Sequence, residues 1–463
     1  MITYNKSYWG LPLLLRVYGS AFPRTWPFAV LSGFMTLVLE WTVAQDETED
    51  GTMNRRSQAR EWWGHPYPYQ TFAFIVGFIL VFRSNFGYGR YWEGRTNLQL
   101  MSAKWADAVI QVLNFDFGTL PLDIDEAGKI RARKFADTYV HLISLMHGVA
   151  VQNLRRDWDL DNLTSHDENS PAPPLDPKFL TSGGEESRFS WKDITQLRSD
   201  KKHKEKYNSL MKIHVLGGLT PDEKEGLGDT KEEDDVGGVS RGCRLSSGLV
   251  IPGPAERVQV VMAWIHQIIL ERRREGGLAI EPPIMTRVYQ VLSEGMLGFE
   301  QCRKIMDTPF PFPWVQFVTV CLLLYTFTVP IVIASYITAD WLAFILTVFA
   351  VMTYHALNEV ARDLEDPFIY DPNDLPMARH QWAFNERIVA LSSTKRPITP
   401  TDRKKFARLR TLVRKQSVGG VEVNMDRRRP ASERVGGNHP DVQLFEDDER
   451  VDEAELVNKV LGI

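Results

Sequence analysis

The sequence predicts an all-α membrane protein, with four transmembrane helices and long helices outside the bilayer. Three observations carry this reading. Residues 308–339, between Asp307 and Asp340, hold no charged side chain, and a second apolar block, WLAFILTVFAVMTYHALN at 341–358, follows Asp340. The stretch TWPFAVLSGFMTLVLEWTVAQ at 25–45 has Glu40 as its one charge, with Trp26 and Trp41 near its ends as interfacial belt residues. The segment 70–82 is uncharged and then runs, with no helix breaker, into a region dense in arginine and aromatics.

Whole-chain averages hide this segregation. The 463 residues are 24% charged with a formal net charge of -5, which reads as soluble and is too small to imply a nucleic-acid partner. Cys243, Cys302 and Cys321 lack metal or disulfide spacing and are read as reduced. The first residues show no apolar core with a small-residue cleavage site, so no cleavable signal peptide is expected. There is no phosphate-binding glycine loop, serine elbow, zinc-binding helix or dinucleotide fingerprint, so no catalytic residue is assigned and no enzyme is expected.

Taken in order, residues 1–24 read as an amphipathic lead-in. Residues 25–115 hold the first transmembrane pair, the second helix continuing out of the membrane with Trp92, Leu98, Met101, Trp105, Val109 and Val112 at threes and fours. The apolar part of that helix, 70–82, is too short to cross a core of about 30 Å unless one face meets water or protein instead of lipid. Gly118 and Pro121 end it, and a further helix is expected about 127–155 within a 116–156 segment. Residues 157–254 are rich in Pro, Gly, Ser and charge and are expected to be a disordered insertion, with short helices near 191–216. Amphipathic helices return over 255–307, and 308–358 forms the second transmembrane hairpin. An acidic turn and one more helix fill 359–392, and 393–463 reads as a flexible tail. Arginine and lysine at the inner ends place both termini on the cytoplasmic side or its equivalent.

Four groups of residues could carry chemistry. Phe74, Phe78 and Phe82 lie four apart, on one helix face. That face suits a lipid surface, a protein core or a pore constriction that gates by dewetting. Arg83 and Arg90 follow it and would concentrate anions, or else pair with Glu93 and other acids. His355, Glu359 and Asp363 share a face and admit a metal site or a polar exit from the membrane, whereas His141 and His147 read as packing residues. Glu365, Asp366, Asp371 and Asp374 offer oxygens of the kind calcium takes, or simply a capped surface turn.

Three stretches resemble the bestrophin family of anion channels, in its plant, algal and bacterial branch: FRSNFGYGRYWEGR at 82–95, CRKIMDTPFPFPW at 302–314 and LEDPFIYDPNDLP at 364–376. The resemblance covers roughly 1–155 and 255–392. It implies a homopentamer around one pore, in which Phe74, Phe78 and Phe82 form the neck and Ile305 a cytoplasmic aperture. It also implies passage of chloride and other monovalent anions, sometimes bicarbonate, through a lipid bilayer, with no required cofactor. Animal members clasp calcium with consecutive acids, a run here broken around Asp371 and Asp374. Tyr91-Trp92-Glu93 stands where the family has Trp-Trp-Glu. The alternatives are a bicarbonate-dedicated channel or transporter and a non-conducting scaffold. The cell membrane is the default location, with the thylakoid membrane as the other.

Overall fold

The structure, a computed structural model, describes residues 19–44, 65–121, 125–166, 172–173, 207–228, 256–337, 339–368 and 373–393. The expected lead-in before Gly19, most of the 157–254 insertion and the tail beyond Ser393 lie outside the described residues. The helices are α1 (Phe22–Ala44), α2 (Tyr67–Thr119), α3 (Glu126–Leu154), α4 (Pro221–Gly226), α5 (Arg257–Arg274), α6 (Pro282–Asp307), α7 (Phe312–Tyr336), α8 (Asp340–Glu365) and α9 (Met377–Ser393).

α1 shows the pattern of a membrane helix most plainly. Its buried face carries Thr25, Ala29, Ser32, Thr36 and Glu40, while Trp26, Phe28, Leu31, Phe34, Val38 and Trp41 point outward. A helix on a soluble core shows the reverse. In a bilayer, large apolar side chains meet lipid, and small or hydroxylated residues let helices approach and hydrogen-bond. Here Ser32 Oγ donates to the Thr326 carbonyl at 2.8 Å, and Thr36 Oγ1 lies 2.9 Å from Thr347 Oγ1. These bonds dock α1 on α7 and α8. The outer faces of α7 (Phe317, Val320, Leu324, Phe327) and α8 (Trp341, Ile345, Phe349) are likewise apolar and exposed. The protein is a membrane protein. Among the described residues three helices, α2, α7 and α8, are long and apolar enough to cross a bilayer. α1, the fourth helix expected over 25–45, is present as a 23-residue helix with Arg24 and Glu40 as its charged residues.

α2 runs unbroken for 53 residues, and its second half enters another core. Leu98, Met101, Trp105, Val109 and Val112 are buried there with Tyr139, Ile143 and Met146 of α3, Val261 and Ile265 of α5, Leu292 and Phe299 of α6, and Phe384 of α9. α6 comes close to α2 because Gly295 and Gly298 face it. A Cβ on Gly295 would lie 2.3 Å from the Trp105 ring, whose Nε1 donates to the Leu292 carbonyl at 3.2 Å. Trp105 therefore cannot swing aside without losing that bond. Gly295→Ala is expected to cost about 1–3 kcal/mol, the usual range for overpacking. A thermal unfolding curve matching the parent's would count against this packing.

The all-α expectation needs one correction. β1 (Leu163–His166) and β2 (Ile213–Leu216) pair in parallel, Leu163 opposite Ile213 through His166 opposite Leu216. Both strands fall within 157–254, where disorder was expected, and β2 lies where a short helix was expected. The burial of Ile213 and Val215, alternating with half-exposed neighbours, orders this segment. Low average hydrophobicity over the insertion masks two such local contacts.

Candidate functional site

α2 presents two different faces in its membrane half. Val76 and Leu80 pack against Val318, Cys321 and Leu322 of α7. The opposite side carries Phe74, Phe78 and Phe82, which are 72%, 54% and 40% exposed, so the stripe is not the core of the protomer. Phe86 extends it by one more turn, 52% exposed. Ring centroids along the ladder are 6.2, 4.6 and 6.3 Å apart, and Phe86 meets Trp314 edge-on at 6.4 Å. The fourth rung was readable from the same spacing, but the charged run beginning at Arg83 draws attention away from it.

Arg83, expected to attract anions, is buried at 2% exposure. Its Nε and Nη2 donate to Glu365 Oε1 at 2.9 and 2.7 Å, and Nη1 donates to Asn358 Oδ1 at 2.5 Å. Its charge is thus answered by Glu365 inside the protomer. Glu93, named with other acids as the alternative partner for the arginines, pairs with Lys304 at 2.7 Å, and it is another acid, Glu365, that takes Arg83. Arg90 differs from Arg83. It donates to the carbonyls of Glu365, Ile305 and Thr308 at 2.8–2.9 Å, and among the described residues no carboxylate pairs with it. Arg90 therefore holds the end of α6 against the end of α8 while keeping its charge. Ile305, expected at an aperture, is 3% exposed in the protomer's own core, and its carbonyl is one of the Arg90 acceptors.

The acidic turn after α8 is tied down by the protein's own donors. Arg24 Nη1 donates to Asp363 at 2.7 Å and lies 3.6 Å from Glu359. Asn373 Nδ2 donates to the Gly19 carbonyl at 3.0 Å and to Asp363 at 3.3 Å. Arg156, left-handed at φ 55°, reaches Asp366 at 3.3 Å and the Met306 carbonyl at 2.9 Å. Calcium needs six to eight oxygens whose charge is not already answered. Here Asp363, Glu365 and Asp366 each face a guanidinium, and an amide donor sits among the oxygens. No three His, Cys, Asp or Glu side chains among the described residues converge on a metal-sized site. The described part of the turn does not fit calcium. Asp374 is buried in it, and Asp371 lies outside the described residues. The His355–Glu359–Asp363 face holds no metal set either: His355 Nε2 bonds Thr326 Oγ1 at 2.8 Å, and Arg24 takes the two acids.

Comparison with known proteins agrees with this architecture. A family model described as bacterial/fungal bestrophin protein matches residues 249–386. A voltage-dependent anion channel-forming protein of Nostoc sp. is 27% identical over 93 residues, which is 20% of this chain and 30% of that protein. Another of the same description, from Synechocystis sp., is 32% identical over 116 residues, 25% of this chain and 36% of that protein. The matches thus span about a third of those relatives' length. In fold, the chain resembles a crystal structure described as that of a membrane protein bearing a Gly-to-Ala substitution, with TM-score 0.50, 13% identity, and 80% and 98% of the two chains covered. A bacterial bestrophin homolog from Klebsiella pneumoniae gives TM-score 0.49 at 14% identity over 80% and 98%. The family model lies across α5 to α9, which include α6, α7 and α8, the helices packed on the phenylalanine-bearing α2, so it is over this part of the chain that the similarity to the bestrophin family is found.

Proposed function

We propose that the protein is a passive anion channel in which several copies of α2 surround a pore. The observation that carries this is the ladder of Phe74, Phe78 and Phe82: it is exposed in the protomer, while the opposite face of the same helix is packed. Five copies, as the family resemblance implies, would turn each rung into an apolar ring. α1 would complete four spans, with both termini on one side. Such a neck excludes ions that keep their water and passes weakly hydrated ones more readily. Phenyl edges carry the positive part of the ring quadrupole, which favours an anion over a cation at close approach. Arg90 supports the same sign of selectivity, because its carbonyl partners leave its charge standing two turns past Phe82. The anion channel-forming descriptions of the Nostoc and Synechocystis relatives point the same way. Chloride and bicarbonate, both monovalent and of related size, suit this neck. In planar bilayers with unequal salt, the reversal potential should follow the anion gradient. A potential that follows the cation gradient would overturn the assignment, and a mass in detergent of one or two copies would remove the pore.

A further inference from the structure

Residues 211–228 lie docked on α3, α5 and α9, with the ends fixed by Arg155, which donates to the Met211 carbonyl, and by Arg257 of α5, which donates to the carbonyls of Leu227 at 3.0 Å and Gly228 at 2.6 Å. Met211, Ile213, Val215 and Leu227 are buried, and the chain turns at Gly217 and Gly218, both with positive φ. Polar groups fix its position. The Leu216 amide donates to Ser144 Oγ at 3.0 Å, and Asn385 Nδ2 donates to the His214 carbonyl at 2.8 Å. His141 of α3 touches it twice: Nδ1 lies 2.5 Å from the Leu216 carbonyl, and Nε2 lies 2.7 Å from Glu223 Oε1. A carbonyl and a carboxylate only accept, so both ring nitrogens must donate, and the imidazolium is the form that satisfies this geometry. Glu223 is itself held by the Thr220 amide and hydroxyl at 2.9 and 2.8 Å, which fixes the start of α4.

Behind this contact a buried hydrogen-bond chain runs to the ladder-bearing helix. Ser144 Oγ donates to Asn385 Oδ1 at 2.7 Å, and Gln381 Nε2 donates to the same oxygen at 2.9 Å and to the Ser144 carbonyl at 3.1 Å. Gln381 Oε1 meets His147 Nδ1 at 2.5 Å, and His147 Nε2 meets Ser102 Oγ of α2 at 2.8 Å. His147 is fully buried and stacked on Phe384 at 4.0 Å, and burial lowers its pKa to about 3, so it stays neutral. Each link is one discrete hydrogen bond that an altered neighbour would break.

We propose that residues 211–228 are a strap whose middle, from Leu216 to Glu223, is held down by the His141–Glu223 pair and released by pH between ends fixed by Arg155 and Arg257, and that its release is passed through Ser144, Gln381 and His147 to α2. The ionisable groups around His141 are Glu223 in contact, Asp222 and Glu225 on α4, Lys224, which pairs with Asp161 at 2.6 Å, and Asp137 one turn earlier on α3. On the β1 side, His166 pairs with Glu386 at 3.0 Å. Burial alone would lower the His141 pKa, but its bonds to Glu223 and the Leu216 carbonyl, with the Glu223 charge, raise it above the usual value. Burial raises that of Glu223, but His141 and Thr220 bring it below the usual carboxylate value. A raised histidine contributes stability that is complete below its undocked pKa and lost as pH rises through the docked one. A lowered glutamate contributes stability above its undocked pKa, lost as pH falls through the docked one. The strap is therefore firmest between those limits, from acidic pH to near neutral, and loosens on the alkaline side.

The test is hydrogen exchange of the full-length protein in detergent across pH 5 to 9, corrected for intrinsic rates. Protection of 216–223 should fall as pH passes the His141 transition, by about tenfold for each unit of pKa shift. His141→Gln and Glu223→Gln should each flatten that dependence, either one serving if the other fails to fold. A wild-type protection profile independent of pH, or one unchanged in a folded variant, overturns the strap. The link to α2 rests on the channel reading. Anion flux that varies with pH in the wild type and not in His141→Gln supports it. Equal pH dependence in both, with exchange altered, overturns transmission. If no anion flux is seen at any pH, the channel reading falls, and the exchange result still decides the strap.

Discussion

Phe78→Ala should raise single-channel anion conductance severalfold with little change in assembly. Phe78 is 54% exposed, and its ring contacts within the protomer are the neighbouring rungs, Phe74 at 6.2 Å and Phe82 at 4.6 Å. Removing it therefore takes little packing from the fold. If five rings meet, the loss is concentrated at the middle of the constriction, where an ion is least hydrated. Each drop of about 1.4 kcal/mol in the barrier is about tenfold in rate, so even partial rehydration of the neck is readable in single-channel recordings. Preference for weakly hydrated anions should fall with it, because water then accompanies the ion. Phe317→Ala is the control: it removes an exposed phenyl from α7, at 52% exposure, outside the ladder. Unchanged conductance in a correctly assembled Phe78→Ala protein removes that residue from the neck. A gain equal to that of Phe317→Ala would point to a lipid effect.

Helix-scale organisation was legible because the apolar blocks and their breakers are local. Pro311 and Pro313 open α7, Asp340 opens α8, and the Gly118–Pro121 region ends α2. The ladder was legible as a spacing, but its meaning was not. Spacing puts Phe74, Phe78 and Phe82 on one face, and only the packing of Val76 and Leu80 against α7 shows which face is covered. The partners of the arginines were not legible at all. Arg83 reaches Glu365 across 282 residues of sequence and Arg24 reaches Asp363 across 339. No local pattern encodes such pairs, so the sequence names Glu93 and other acids without singling out Glu365. The burial of Ile305 was not legible for a related reason: a motif fixes position along the helix, while the turn of the side chain into the core depends on α2 and Arg90 alongside. The two strands escaped notice because each is four residues long and its partner lies 50 residues away.

Arg83→Gln should destabilise the protein by several kcal/mol without lowering the conductance of channels that do fold. Three donors are lost together: two to Glu365 and one to Asn358. Breaking one side of a buried ion pair costs about 3–5 kcal/mol, because the remaining charge is stranded. Glu365 keeps 19% exposure, so water softens that cost, and the lower end of the range is expected. Arg83→Lys should recover little, since a single ammonium cannot bridge Glu365 and Asn358 as the planar guanidinium does. Arg83→Gln combined with Glu365→Gln should be less damaging than the sum of the two, because the stranded carboxylate is gone. Thermal unfolding in detergent measures all of these. Flux per folded channel separates the two roles for this arginine. A residue that gathers anions would, when neutralised, cut conductance most at low salt, where screening is weakest. A residue that staples α2 to the end of α8 would leave that salt dependence as it was. Loss of conductance at low salt with unchanged stability would return Arg83 to the ion path and show that its tie to Glu365 opens in the assembled channel.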